Sequence, residues 1–243
     1  MSKILVLYVF HIYNQRVEQF IKKCIFYDPK IDFIIISNGD NTYLELPDYV
    51  KFLKRENIGV DFGGWSDALL TNELYKNYEK FIFINSSVSG PFLPSYYKGK
   101  WTDIYIDGLK DNIKLFGSTI NTQGKPKITP HVQTYVFSLD REALEYLIEK
   151  NIFSMSYYVK SVFEAIHTKE IIMSRLILDN NWNIGSLLPL YKNVDFTFQD
   201  KTQQYNIIFR DDIMYENYRN IFWNEYQLVF IKGNRIPNIK LIE

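Results

Sequence analysis

Residues Arg55–Leu69 read RENIGVDFGGWSDAL, and they decide how the chain is interpreted because a glycine-rich segment precedes an apolar run with helical spacing. The segment holds three glycines, Gly59, Gly63 and Gly64. Glycine lets the backbone approach a ligand closely, and a following helix offers free N–H groups and a partial positive charge. We therefore expect a glycine loop and then a helix from about Trp65 to Tyr78.

Asp61 lies inside this glycine-rich segment. A carboxylate beside a helix start suits a nucleotide, since it accepts hydrogen bonds from ribose hydroxyls. The alternative is an ordinary turn before a helix, with Trp65 packed in the core. The spacing of GVDFGG differs from the dinucleotide-binding fingerprint GxGxxG and does not follow the first strand directly.

Strands and helices alternate around this segment. Apolar, β-rich runs predict buried strands at Ile4–Phe10, Asp32–Ser37, Val50–Lys54 and Phe81–Asn85. The spacing of apolar residues predicts a helix over Asn14–Phe26. This alternation predicts an α/β fold with a mixed, mainly parallel sheet flanked by helices.

The second half of the chain shows the same kinds of element in a less regular order. We expect strands at Ile113–Ser118, Val132–Ser138 and Gln227–Ile231, and helices at Arg141–Glu149 and about Lys169–Asp179. No repeat, low-complexity run or linker divides the sequence. Residues 1–243 are therefore interpreted as a single domain.

Polar residues follow several of the predicted strands. They are His11, Ser37-Asn38, Arg55–Asp61 and Asn85-Ser86-Ser87. Ligands of open α/β sheets bind outside the carboxyl ends of the strands. We therefore expect these four clusters to meet at one binding site.

The composition excludes several classes of protein. The 28 basic and 28 acidic side chains cancel, whereas nucleic-acid-binding proteins usually carry a basic surplus. The single cysteine, Cys24, cannot form an internal disulfide, which favours a reducing compartment. The apolar run Ile4–Phe10 is too short for a membrane span. We expect a cytoplasmic protein, in a bacterium or a virus-infected cell, with no nucleic-acid partner and no transmembrane segment.

Four motifs carry a resemblance to a known family. RENIGVDFGGW, FINSSVSGPF, HVQTYVFS and EYQLVFIKGNR occur in this order. In order and interval they resemble the rhamnan-synthesis-type glycosyltransferases of cell-wall and capsular polysaccharide assembly, whose relatives occur in large DNA viruses. The resemblance implies a GT-A-like fold, with a nucleotide-sugar-binding half at about residues 1–95 and an acceptor-binding half at about 96–243. It also implies transfer of a sugar from a UDP- or dTDP-type donor to a polysaccharide or glycan.

The resemblance, the glycine-rich segment and the strand ends together indicate which residues surround the donor. They are Asn38, Asn57, Gly59, Asp61, Gly63, Gly64, Asn85, Ser86, Ser87, Lys232 and Arg235. GT-A enzymes commonly place an acid at the strand end where this chain has Ser86. Because Mg²⁺ and Mn²⁺ prefer charged oxygen ligands, the serine leaves the need for a divalent cation open. Lys232 and Arg235 are candidates for supplying the missing positive charge to the diphosphate.

Two further residues are candidates for catalysis. The resemblance points to His131, paired with Gln133 on its strand, and to Glu170, with Ser174 one helical turn later. An inverting transferase needs a carboxylate base, and Glu170 is the first choice, followed by Asp103 and Asp107. The alternatives are a structural histidine, a helix-terminal acid at Glu170 that offsets the helix dipole, and a retaining mechanism.

Two rival functions remain open at this point. A nucleotidyltransferase or sugar-nucleotide-processing enzyme usually carries a basic, glycine-rich loop near its first strand, whereas the first turn here is His-Ile-Tyr-Asn. A non-catalytic glycan-binding module derived from a transferase would suit Ser86 in place of an acid. Turnover of a nucleotide-sugar separates this module from an enzyme.

Overall fold

A mixed sheet of seven strands runs through the molecule. The structure is a computed structural model that describes residues 3–39, 42–122, 130–198 and 224–234. The sheet consists of β1 (Ile4–Phe10), β2 (Ile31–Asn38), β3 (Val50–Arg55), β4 (Lys80–Asn85), β6 (Ile113–Gly117), β9 (Val136–Asp140) and β10 (Asn183–Ser186). Two small antiparallel pairs join β5 (Val88–Ser89) to β11 (Ile231–Lys232), and β7 (Ile120–Asn121) to β8 (His131–Val132).

The sheet order is β10-β6-β9-β4-β1-β2-β3. Strands β1 to β4 are mutually parallel, and β6 and β10 are parallel to each other. Strand β9 is antiparallel to both of its neighbours, β4 and β6. The prediction of an α/β fold with a mixed, mainly parallel sheet flanked by helices is confirmed. The division near residue 95 stays a prediction.

Helices cover the sheet. They are α1 (Gln15–Cys24), α2 (Val60–Leu70), α3 (Trp101–Asp107), α4 (Arg141–Glu149), α5 (Val162–Ala165), α6 (Ile171–Asp179) and α7 (Glu225–Leu228). A π-helical turn, Ile166–Glu170, joins α5 to α6, and 3₁₀ turns lie at Thr71–Asn77 and Pro189–Tyr191. Helix α1 shows how sequence sets these bounds. The Asn14 side chain caps its first turn, and Val17, Phe20 and Cys24 bury one face.

The predicted start and end of α2 are wrong. The helix begins at Val60, so that Gly63 and Gly64 lie inside it and are not part of a loop before it. It ends at Leu70, since Thr71 is extended, and Asn72 and Glu73 then adopt left-handed backbone angles. Trp65 is fully buried and packs edge-on against Phe83 and Phe137, as the core alternative for this residue requires.

Two strands of the second half also differ from the prediction. The expected strand Val132–Ser138 is split into β8 and β9, because residues 133–135 turn between a small β pair and the main sheet. In the expected strand Gln227–Ile231, the first two residues belong to helix α7. Val229 then adopts a φ of 63°, which no strand tolerates, and only Ile231–Lys232 pair with β5.

Candidate functional site

A pocket of about 330 Å³ lies at the carboxyl edge of the parallel strands. Strands β1, β3 and β4 end there, and the antiparallel strand β9 begins there. Its polar lining is His11, Asn57, Asp61, Asn85, Ser86, Ser87, Thr134, Tyr135, Glu170, Lys232 and Asn234. Eight of the residues proposed from sequence therefore meet in one place: His11, Asn57, Asp61, Asn85, Ser86, Ser87, Glu170 and Lys232.

Asp61 presents a carboxylate to this pocket from the first turn of α2. Asn85 Nδ2 donates to Asp61 Oδ2 at 2.9 Å, and among the described residues it is the sole hydrogen-bond donor to that carboxylate. Burial raises the pKa of Asp61 to about 6, and the negative charge of Glu170 adds to the rise. The hydrogen bond from Asn85 and the His11 ring oppose the rise. A pKa near neutrality is typical of a functional carboxylate.

The backbone before Asp61 is strained. Gly59 has a φ of 79° and Val60 a φ of 47°, which is unusual for a β-branched residue. Asn38 fixes this conformation, since its Nδ2 donates to the Val60 carbonyl at 2.8 Å. Asn38 is fully buried and does not line the pocket, so it acts on Asp61 through the backbone of Val60.

Glu170 faces the pocket from the end of the π-helical turn. Its Oε2 accepts hydrogen bonds from the Thr134 backbone N at 2.8 Å and from Thr134 Oγ1 at 2.5 Å. His131 Nε2 lies 3.8 Å from Oε1 and stands behind Glu170, outside the pocket lining. Glu170 stands at the N-cap position of α6 without making a capping hydrogen bond, so its position also agrees with the alternative of a helix-terminal acid. Its role as a base stays a prediction.

Lys232 reaches the pocket from β11, which pairs with β5 directly after Ser87. Its Nζ lies 5.6 Å from the centre of the Tyr135 ring. Burial lowers the pKa of Lys232, and the charge of Glu170 opposes the change. Arg235, proposed with it, lies outside the described residues.

Several proposed residues have other positions. Gly59, Gly63 and Gly64 do not line the pocket; the last two pack α2 against β1, β2 and the turn before the helix. Gln133 is buried and its Oε1 accepts from Thr119 Oγ1 at 2.8 Å; like His131, it does not line the pocket. The second-choice bases also lie elsewhere: Asp103 Oδ2 caps α3 by accepting from the Lys100 backbone N, and Asp107 lines a separate cavity beside β10.

Three side chains make hydrogen bonds that were not expected from the sequence. Arg55 binds Asp67 Oδ2 through Nε at 2.7 Å, Asn38 Oδ1 through Nη1 at 2.8 Å and the Ile58 carbonyl through Nη2 at 2.8 Å. Arg16 Nε donates to the Ser86 carbonyl at 3.1 Å. His11 Nδ1 donates to the Asn38 carbonyl at 2.7 Å. The charged triplet Lys54–Glu56 before the glycines could have indicated a role for Arg55. No local sequence pattern indicates the role of Arg16.

Comparisons with known proteins place the chain in a family. The family model described as rhamnan synthesis protein F matches residues 33–229. "Virulence protein VirA" of Vibrio anguillarum is 30% identical over 105 residues, which cover 42% of this chain and 30% of that protein. The chain therefore matches less than a third of this curated relative's length.

Solved structures of similar shape are distant. A cytidylyltransferase from Leptospira borgpetersenii has a TM-score of 0.41 at 10% identity, covering 76% of each chain. A glycosyltransferase involved in glycosylation of the major capsid of PBCV-1 has a TM-score of 0.34 at 18% identity, covering 70% of this chain and 78% of its own. The glycosyltransferase GlyE of Streptococcus pneumoniae TIGR4 has a TM-score of 0.41 at 9% identity, covering 85% and 50%. Within the described ranges every helix is too short or too polar to span a bilayer.

Proposed function

The chain belongs to the rhamnan synthesis protein F family, and on this premise we propose that it transfers a sugar from a UDP- or dTDP-type nucleotide-sugar to a polysaccharide or glycan acceptor. The observation that carries the proposal is one pocket, at the carboxyl edge of the parallel strands, that is lined by Asp61, Glu170 and Lys232. Glycosyl transfer needs a carboxylate to take a proton and a cation or dipole to stabilise the leaving group. This pocket offers both.

The proposed donor orientation follows from the charges. The nucleoside lies beside Asn57 and His11, where β3 and β1 end. The diphosphate lies between Ser86-Ser87 and Lys232, because an anion avoids the carboxylates and is attracted by the ammonium group. The sugar ring, which is neutral and rich in hydroxyls, then lies against Asp61 and Glu170.

The proposed reaction uses Glu170 as the base. It removes the proton of the acceptor hydroxyl while that oxygen attacks the anomeric carbon of the donor. The His131 ring, 3.8 Å from Glu170 Oε1, positions this carboxylate together with Thr134. Asp61 accepts hydrogen bonds from hydroxyls of the donor through the oxygen that Asn85 leaves unbonded. We place the reaction in the cytoplasm of a bacterium or an infected cell.

A thermal-shift panel followed by a turnover assay tests this proposal. UDP-, GDP-, dTDP- and CMP-sugars are added singly to wild type, to Asp61→Ala and to the exposed-site control Asp48→Ala. A ligand that binds the folded state raises its stability by RT ln(1 + [L]/Kd). We expect one nucleotide class to stabilise wild type and the control but not Asp61→Ala, and release of its nucleoside diphosphate on adding glycan acceptors. No shift with any nucleotide would contradict the proposal. Binding of glycans alone would favour a non-catalytic glycan-binding module.

A further inference from the structure

The end of β4 is poorly suited to a divalent cation. The Asn85 Oδ1 accepts from the Ser87 backbone N at 3.0 Å and from Ser87 Oγ at 2.5 Å, while Asn85 Nδ2 donates to Asp61. Position 86 offers a neutral hydroxyl. Mg²⁺ and Mn²⁺ prefer several oxygen ligands, with carboxylates among them. Across residues 3–39, 42–122, 130–198 and 224–234, no group of three or more His, Cys, Asp or Glu side chains is placed to hold a metal ion.

Positive groups flank the same strand end. The Ser86 carbonyl, a conceivable metal ligand, accepts a hydrogen bond from Arg16 Nε at 3.1 Å, so a cation there would meet a guanidinium. Lys232 lines the same pocket as Ser86 and Ser87 and is held by the pairing of β11 with Val88 of β5. Both cations compete with a divalent ion for this place, and the residues therefore do not fit one.

The Lys232 ammonium group is mostly buried and lacks an anionic partner among the described residues. Within the described part of the chain, no residue accepts a hydrogen bond from its Nζ or forms an ion pair with it, and the ammonium group lies 5.6 Å from the centre of the Tyr135 ring. Burying an unpaired charge is costly, and here burial already lowers the pKa of Lys232. A diphosphate beside Nζ would remove this cost, since an adjacent anion favours the charged form.

We propose that Lys232 takes the place of a divalent cation, so that the chain binds the donor diphosphate and releases it without Mg²⁺ or Mn²⁺. This inference rests on the proposed function. In the reaction the acceptor oxygen bonds to the anomeric carbon, and the bond from that carbon to the β-phosphate oxygen breaks. The electron pair stays on the diphosphate, which accepts a hydrogen bond from Lys232 Nζ, and the acceptor proton passes to a carboxylate of the pocket.

Calorimetric titration with nucleoside diphosphates tests this inference. UDP, dTDP and GDP, and the matching nucleosides, are titrated into wild type, Lys232→Met, Lys232→Arg and the control Lys51→Ala, which changes an exposed lysine of β3. Each titration is run with EDTA and with Mn²⁺. Methionine keeps the apolar stem over Tyr135, so this variant tests the charge with little change in packing. Thermal melts of each variant verify folding.

The expected results separate this inference from the proposed function. Wild type binds one diphosphate equally well with EDTA and with Mn²⁺, Lys232→Met loses about 10- to 100-fold in affinity, and Lys232→Arg loses less. Affinity for the nucleoside stays the same in all variants. A diphosphate that binds wild type only with Mn²⁺, or binds Lys232→Met as tightly as wild type, overturns the inference and leaves the donor site standing. No binding of any nucleotide overturns the proposed function as well.

Discussion

Segments 55–67 and 131–137 both contribute to the pocket, and they are held by different kinds of contact. In segment 55–67 the guanidinium of Arg55 ties together Asp67, Asn38 and the Ile58 carbonyl. In segment 131–137 the contacts come from distant residues: the Val132 backbone N donates to Ser174 Oγ at 3.0 Å, and Thr134 donates to Glu170. The first segment is fixed by a charged side chain of its own. The second is fixed by side chains of Glu170 and Ser174, which are far away in sequence.

This difference extends to the two carboxylates of the pocket. Asp61, in the first segment, has one hydrogen-bond donor among the described residues and a pKa raised to about 6. Glu170, which holds the second segment, accepts two hydrogen bonds from Thr134. The pocket thus combines a carboxylate that costs stability at neutral pH with one that is well satisfied. Such a costly group is expected where function requires it.

The largest expected effect concerns the second segment. Glu170→Gln keeps the shape of the side chain but removes the proposed base, and we expect turnover to fall by about 10²- to 10⁴-fold. The measurement is the rate of nucleoside diphosphate release, with the exposed variant Glu145→Gln as control. A loss below about threefold would assign the proton transfer to Asp61 or to another group.

The next largest effect is a loss of stability when a side chain is added to Gly63 in the first segment. A Cβ on Gly63 would lie 2.0 Å from the Ile58 carbonyl oxygen, which also accepts from Arg55. We expect Gly63→Ala to lower the free energy of unfolding by about 4 kcal/mol, since a backbone atom cannot move aside. On Gly64 a Cβ would lie 2.9 Å from Val9 Cγ2, a side-chain atom, and we expect a loss of about 1–2 kcal/mol. Urea unfolding of both variants provides the comparison, and equal losses would contradict it.

A smaller effect is a gain in stability, and it distinguishes the two carboxylates of the pocket. Because the pKa of Asp61 rises from 3.8 to about 6 on folding, its stabilising contribution is complete below about pH 4 and is lost as pH rises through 6. We expect Asp61→Asn to be more stable than wild type at pH 8 by about 2 kcal/mol. The full rise in the pKa of Asp61 corresponds to about 3 kcal/mol, which is the largest gain that this substitution could give. The gain should disappear near pH 4. Chemical unfolding at several pH values measures it, with Asp48→Asn as control; a pH-independent difference would contradict the assignment.

The smallest effect concerns the link between α6 and β8. Ser174→Ala leaves the buried Val132 N–H without its partner, and we expect a loss of about 1 kcal/mol. Donor affinity should change little, because Ser174 does not line the pocket. Thermal melts and calorimetry on the same sample test both statements. A large loss of donor affinity would mean that segment 131–137 also shapes the donor site.

Most of the sheet could be predicted from the sequence, and the reasons are local. Strand β1 is buried on both faces and therefore reads as a continuous apolar run. The polar residues at the ends of β1 and β4 were also predictable, because parallel strands bring their carboxyl ends to one edge. The bounds of α2 were not, since the apolar spacing continues past Leu70, where Thr71 is extended and Asn72 and Glu73 take left-handed backbone angles.

The second half of the site was harder to predict for a physical reason. The break between β8 and β9 is maintained by Glu170 and Ser174, which lie 36 and 42 residues away from their partners. Lys232 comes even later in the chain, from a strand of two residues whose partner is β5. Short strands with distant partners leave no periodic signal. The motif resemblance, and not the spacing, identified these residues.

The most direct test of the donor site is a crystal structure of the wild-type chain with the nucleoside diphosphate chosen by the thermal-shift panel, grown in the presence of EDTA. The account predicts a diphosphate oxygen at about 3 Å from Lys232 Nζ, with the nucleoside beside Asn57 and His11. A nucleotide bound away from this pocket, or with its diphosphate against Asp61, would contradict the account.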